Sequence, residues 1–277
     1  MWGRLAACGR LAIGPAYGLP PARSKICHVK LKPSLINTRL RQILSSLRWC
    51  QLSRIPVEDQ LAKMRQDWDQ RAQENARHYV STAKGVWTDK EFFASGEQTV
   101  ENHILTDMPN ICQGREPKQM KVLEIGCGAG RVTRALAGLF GEVHAVDISG
   151  EMVRLARQAV SPFSNAFIYQ NNGVDLSVIP VDEFDFAFSH LVFQHIPSRD
   201  IIRNYVGEVY RLLRPGALFK FQVQGCVKLR PSPDDTWLGV PFSDRQILRM
   251  ARQYGFEARY RLGARQQDFW IWYFKRG

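Results

Sequence analysis

The sequence predicts an α/β fold, a mostly parallel sheet with helices on both faces, and three observations carry that expectation. Short apolar runs alternate along the chain with longer stretches whose apolar residues recur at helical spacing. One run, Val122-Leu-Glu-Ile125, opens directly into Gly126-Cys-Gly-Ala-Gly130. The next, Glu142-Val-His-Ala-Val-Asp147, ends on an acid. Strand, glycine turn, helix and strand make a βαβ unit, whose crossover sets its two strands parallel.

The elements follow in order. Trp68, Ala72, Ala76, Tyr79 and Val80 lie at helical spacing and predict an amphipathic helix. Glu91 to Met108 reads as a second helix that ends before Pro109, and Asn110 to Gln119, with Gly114 and Pro117, as the link into the sheet. Val122, Leu123 and Ile125 form the first strand. Arg131 to Phe140 is the helix behind it, with a stripe of Val132, Ala135, Leu136 and Leu139. Val143, Ala145 and Val146 form the second strand, Ser149 caps a helix running to about Ala159, and Ala166 to Tyr169 is the third strand. Arg199 to Leu213 buries Ile201, Ile202, Tyr205, Val206, Val209, Leu212 and Leu213, then stops at Pro215-Gly216. Ser243 and Gln246 form a capping box for a helix that Gly255 ends. Phe256 to Tyr260 and Phe269 to Phe274 are the last two strands.

The glycine turn carries the function. Gly126, Gly128 and Gly130 let backbone pass close to a ligand, because no Cβ blocks the approach. Asp147, at the carboxyl end of the second strand, is placed to accept both ribose hydroxyls of an adenosine lying across the strand tips. A dinucleotide fingerprint would read G-x-G-x-x-G and rest a pyrophosphate on the helix N-terminus. Here Arg131 stands where the third glycine belongs. Glu124, just before the turn, repels a pyrophosphate and suits a ligand that carries an ammonium and a sulfonium. The residues favour a cationic, phosphate-free nucleoside over a nicotinamide dinucleotide. Cys127 is expected to be a small packing residue rather than a nucleophile.

Leu123-Glu-Ile-Gly-Cys-Gly-Ala-Gly130 resembles the first motif of class I S-adenosylmethionine-dependent methyltransferases. Asp147-Ile-Ser149 resembles the family's second-strand motif, Phe184-Asp-Phe-Ala-Phe-Ser189 its fourth strand, and Leu213-Arg-Pro-Gly216 its turn into the fifth. Ala217 departs from the pattern, where the family often has another glycine. The resemblance spans roughly residues 65 to 275 and implies a Rossmann-like sheet of seven strands, the last antiparallel, with the N-terminal helix over the cofactor cleft. It implies S-adenosylmethionine as cofactor and Glu124, Gly126, Cys127, Gly128, Asp147 and Ile148 as its contacts, with Met152 as a helper. A polar residue after the third strand meets the adenine edge in such enzymes; Asn172-Gly173 is the expected place and Asp175 the second choice. Ser189 and His190 are expected beside the methionine portion.

Methyl transfer from a sulfonium is an in-line displacement, so the protein's main task is to hold donor and acceptor in a dry cleft. A general base is needed only for a protonated acceptor. His195 is the candidate, and the competing reading is a histidine that positions its loop. Gly225 to Phe242 is longer than an ordinary connection and places Lys228, Arg230, Asp234, Asp235 and Trp237 where an acceptor could meet them.

Charge divides the chain. Of 38 Lys and Arg, ten precede the first acid, Glu58, which leaves 28 against 26 acids beyond it. Ten of the net +12 charges therefore belong to the first part and only +2 to the rest, and no nucleic-acid partner is expected for the folded part. Residues 1–63 are expected to be a basic extension, and 64–277 a methyltransferase domain with a helical cap over 64–110 and an α/β core over 111–277. The extension reads as a disordered basic arm, as a mitochondrial transit peptide, or as sequence ahead of a translation start at Met64. Six cysteines show no C-x-x-C pair, so no metal is expected, and no apolar run is long enough for a membrane span. The expectation is a cytoplasmic methyltransferase with a small-molecule acceptor, or a mitochondrial one if the extension is a transit peptide. The rivals are a non-catalytic binding or assembly protein on the same fold and, further off, a NAD-dependent oxidoreductase.

Overall fold

The structure is a computed structural model that describes residues 56–82, 85–225 and 236–277. Seven strands form one sheet: β1 (Lys121–Ile125), β2 (Glu142–Asp147), β3 (Ala166–Gln170), β4 (Phe184–Ser189), β5 (Leu213–Gln224), β6 (Phe256–Leu262) and β7 (Asp268–Lys275). Their order across the sheet is β3-β2-β1-β4-β5-β7-β6. β1 to β5 pair in parallel, and β7 runs antiparallel to both β5 and β6. The order reverses between β1 and β4, and a crevice opens at such a switch point beyond the strands' carboxyl ends.

Period-two alternation decides the faces. Leu123 and Ile125 of β1 pack into one core with Phe184, Ala187, Phe219 and Phe221. Over it lie α6 (Arg199–Leu212) and α7 (Asp244–Tyr254), which contribute Ile201, Val209, Ile247 and Met250. Val122 points the other way, to Phe186, Phe188 and Leu218, beneath α2 (Asp89–His103) and α4 (Arg131–Leu139). α5 (Gly150–Val160) covers Ala145 and Ile168 on the β2–β3 side. The capping signals act as read: Ser149 Oγ accepts the N–H of Met152, Ser243 and Gln246 complete their box, and Gly255 ends α7 at φ +84°.

Three boundaries differ from the sequence reading. The cap helix α1 (Val57–Val80) starts ahead of Met64, and Leu61 is buried with Met64 against the sheet core. The folded part therefore takes in residues before 64. Residues 1–55, on which the remaining readings of the extension fall, lie outside the described residues. The expected helix over Glu91 to Met108 ends instead at His103. After a short 3-10 turn the chain enters α3 (Met108–Cys112), whose first turn holds Pro109. Proline lacks an N–H that the first turn of a helix does not use, so it opens a helix as readily as it stops one. Leu213-Arg-Pro-Gly216 is not a turn outside the sheet: Leu213 pairs with Phe184 and Leu218 with Phe186, which makes the segment a bulge inside β5.

Candidate functional site

Loops after β1, β2, β3 and β4 line one cleft at the switch point, and residues from both halves of α1 roof it. Its walls are Glu124 to Gly128, Arg131, Asp147, Ile148, Met152, Asn171, His190 to Val192 and Tyr205, under Met64, Trp68, Tyr79 and Val80.

The glycine turn is fixed from below. Gly126 and Cys127 both donate their N–H to the carbonyl of Val146, at 2.8 and 2.9 Å. Gly126 has φ +78°, and a Cβ there would stand 2.2 Å from Val192 Cγ2. Gly128 has φ +51°, and a Cβ there would stand 2.8 Å from Val80 Cγ2, so the roof lies directly over the turn. Cys127 is buried among Ala145, Val153 and Ala156, and burial pushes its thiol well above the usual range, as befits packing.

Two carboxylates face this turn. Asp147 Oδ2 accepts the N–H of Gly128 at 2.9 Å, and Oδ1 that of Ser149 at 3.0 Å. Burial raises its pKa to about 6 against those two hydrogen bonds. Glu124 is 4 % exposed and accepts a 2.6 Å hydrogen bond from Thr133 Oγ1. Burial pushes it up to about 7; the bond from Thr133 and the charge of Arg131 pull it down, and the charge of Asp147 adds to the rise. A cation entering between them would relieve both. An anion would meet two like charges.

Ile148 and Met152 form an apolar wall beside Asp147. Asn171, rather than the expected Asn172, lines the cleft. Asn171 Nδ2 donates to the hydroxyl of Tyr205 at 2.7 Å, while its Oδ1 is buried without a protein partner. Asn172 is turned away: its Oδ1 accepts the N–H of Val174 and of Asp175, and its Nδ2 donates to Asp175, a closed local turn. Gly173 supports Ile148 from outside the cleft, since a Cβ there would stand 2.6 Å from Ile148 Cδ1. Ser189 is fully buried and donates Oγ to the carbonyl of Ile125 at 3.0 Å. It ties β4 to β1, and its neighbour His190 is the one that lines the cleft.

His195 reaches the cleft from the turn Phe193–His195 with both ring nitrogens engaged. Nδ1 lies 2.6 Å from the carbonyl of Trp237, which accepts its proton, and Nε2 lies 3.1 Å from the amide of Gln194. Trp237 in turn packs against Trp68, Tyr79 and His195 at ring-centroid distances of 6.2, 5.8 and 4.9 Å. Its neighbour Thr236 donates to Asp67 on α1 at 2.7 Å. The end of the long connection is thus fastened to the cap helix. Lys228, Arg230, Asp234 and Asp235 lie outside the described residues. Among the described residues, no group of three or more His, Cys, Asp or Glu side chains could hold a metal ion, and no helix is long and apolar enough to cross a membrane.

Residues 122–216, which carry the glycine turn, Asp147, Asn171 and His195, match a family model described as a methyltransferase domain. The match covers the first four strands of the sheet and the helix that leads into the fifth. Solved structures agree on the fold. Magnesium protoporphyrin IX methyltransferase from Synechocystis, solved with bound S-adenosylmethionine, superposes with a TM-score of 0.57 at 15 % identity over 78 % of this chain and 97 % of that one. Phosphoethanolamine N-methyltransferase 1 of Haemonchus contortus gives 0.60 at 13 % identity over 80 % of this chain and 50 % of that one. Among curated proteins, malonyl-[acyl-carrier protein] O-methyltransferase of Enterobacter lignolyticus is 31 % identical over 138 residues, 47 % of this chain and 50 % of the relative. Ubiquinone biosynthesis O-methyltransferase of Xanthomonas oryzae is 31 % identical over 97 residues, 35 % of this chain and 39 % of the relative. The chain thus spans about half or less of the curated relatives it matches. Among the polar cleft residues, the sequence did not single out Asn171, Tyr205 or Arg131 as wall residues. Only the Gln170-Asn-Asn run signalled any of them.

Proposed function

We propose that the domain binds S-adenosylmethionine and passes its methyl group to a small-molecule acceptor. The observation that carries this reading is the pair of shielded carboxylates, Glu124 and Asp147, flanking a glycine turn that brings backbone to the ligand. When bound, S-adenosylmethionine supplies a methyl group already activated on a sulfonium. Asp147 accepts the ribose hydroxyls, Glu124 accepts the ammonium, Ile148 and Met152 cover the adenine faces, and Asn171 Oδ1 accepts the adenine amino group. Trp68, Tyr79 and Val80 close the roof and exclude water, which strengthens every charge interaction below. His195 positions the turn after β4 rather than taking a proton, since both its nitrogens are engaged. The named curated relatives are both O-methyltransferases, which supports a small oxygen acceptor as the first class to assay.

Thermal melting of the full chain with S-adenosylhomocysteine and with NADH tests the cofactor. Protection by the first alone is expected, and protection by NADH alone overturns the reading. Turnover of labelled donor in a metabolite extract separates an enzyme from a binding protein on the same fold.

A further inference from the structure

We propose that the α2 side of the cleft is a carboxylate subsite, in which Arg131 Nε and His190 Nδ1 hold the α-carboxylate of the donor's amino-acid end while Glu124 holds its ammonium. This rests on the reading of the cleft as an S-adenosylmethionine site; it gives Arg131 a role there and the ring of His190, expected beside the methionine portion, a specific partner.

Arg131 is 5 % exposed, yet only part of its guanidinium is used by the protein. Nη1 donates to the carbonyl of Ser95 at 2.7 Å and to Thr99 Oγ1 at 2.9 Å, whereas Nε is buried with no partner. His190 repeats the pattern: its Nδ1 is buried with no partner. Its ring lies 5.1 Å from that of His103 and 5.2 Å from that of Trp270. Ser95, Thr99 and His103 follow one another at four-residue steps and so share one face of α2. Arg131 is fastened to the first two and His190 lies against the third, which brings both unpaired atoms to the same wall. Both residues line the cleft with Glu124.

A buried polar atom left unpaired is costly, and two at one wall of a ligand cleft select what completes them: the Arg131 Nε–H is a donor, and His190 Nδ1 is one in the tautomer protonated there. Burial, with the charges of His103 and Arg131, lowers the His190 pKa to about 3, so its ring is neutral at physiological pH and can donate one N–H. Arg131 supplies the positive charge. The matching group accepts two hydrogen bonds and carries a negative charge. Phosphate fits poorly, because Glu124 and Asp147 face the same space. A carboxylate joined through one carbon to an ammonium presents a negative end to Arg131 and His190 and a positive end to Glu124, with no net charge to desolvate.

Calorimetric titration of the full chain with S-adenosylhomocysteine and with its decarboxylated counterpart, 5′-(3-aminopropylthio)-5′-deoxyadenosine, tests the subsite. The wild type should prefer the first by roughly ten- to a hundredfold, the value of a charge-assisted hydrogen bond or two. His190→Phe keeps an aromatic ring beside Trp270 and removes the nitrogen; it should lose most of that preference and keep its affinity for the decarboxylated ligand. Arg131→Lys should do the same, with ligand-free melting to confirm that its loss of contacts to Ser95 and Thr99 leaves the domain folded. Equal binding of the two ligands by wild type, or an undiminished preference in His190→Phe, overturns the subsite. Equal binding accompanied by a raised KM for a carboxylic acceptor in the variants also overturns it, by assigning the carboxylate to the acceptor. Failure of both ligands to bind wild type overturns the cofactor reading beneath it.

Discussion

Gly128 donates its backbone N–H to Asp147 Oδ2 at 2.9 Å, so the turn after β1 and the acid that ends β2 are held as one unit. Ser149 holds the other oxygen at 3.0 Å. The carboxylate is oriented before any ligand arrives, which lowers the cost of ordering it on binding.

Asp147→Ala removes the carboxylate proposed to accept the ribose hydroxyls and releases the N–H of Gly128. A hydrogen bond to a charged group contributes about 1.5 to 3 kcal/mol, which corresponds to roughly ten- to a hundredfold in affinity. Calorimetry with S-adenosylhomocysteine should show a loss in that range. Unchanged affinity would refute the ribose assignment.

Asn171 and Asn172 stand side by side and have opposite expected phenotypes. Asn171→Ala deletes the buried Oδ1 acceptor and the support from Tyr205, and should weaken the same ligand several-fold or more. Asn172→Ala opens a local turn at Val174 and Asp175, and should lower the melting temperature slightly with ligand affinity retained. The reverse order of effects in paired titrations would return the adenine contact to Asn172.

That pair shows where the sequence stops being legible. The strands and helices were readable because apolar period and glycine position are local properties, and the cleft's floor followed from Glu124 to Gly130 and Asp147. Which of two consecutive asparagines faces the ligand is not local, because one step along an extended chain reverses the side-chain direction. Pro109 obeys two rules at once, ending one helix or opening another, and only the packing of α3 decides between them. His195 looked available as a base because the carbonyl that engages it comes from Trp237, 42 residues on.

Glu124 predicts an inverse relation between stability and pH. Its folded pKa, about 7, lies above its ordinary 4.5, so its contribution to stability is fully present below about pH 4.5 and is lost as pH rises through 7. His103 and His190 are depressed to about 4 and about 3, so their contribution is present above 6.5 and lost as pH falls through those values. The two trends oppose each other between about pH 4.5 and 6.5, and the wild-type melting temperature alone cannot separate them. Glu124→Gln isolates the first. Ligand-free Glu124→Gln should be more stable than wild type at pH 8 by a few kcal/mol at most, on the order of 1.4 kcal/mol per pKa unit. The difference should vanish by about pH 4. Ligand affinity should move the other way, falling in wild type below pH 7 as Glu124 and then Asp147 are protonated. A stability difference independent of pH would place the Glu124 pKa in the ordinary range.

His195 is where turnover itself can be questioned. With Nδ1 donating to the carbonyl of Trp237 and Nε2 accepting from Gln194, the ring has no free lone pair for an acceptor proton. It stands instead between Trp68 and Trp237, at centroid distances of 5.2 and 4.9 Å, where it joins the cap helix to the turn after β4. Its loss should therefore loosen the roof. His195→Ala should lower the melting temperature and weaken donor binding, while the pH profile of turnover keeps its shape. His195→Asn, whose amide can still donate to the carbonyl of Trp237, should recover part of the lost affinity. A positioning residue is rescued in that way, and a general base is not. Disappearance of a titrating limb from the profile in both variants, with donor affinity intact, would make His195 the base and require it to leave Gln194 when the acceptor binds.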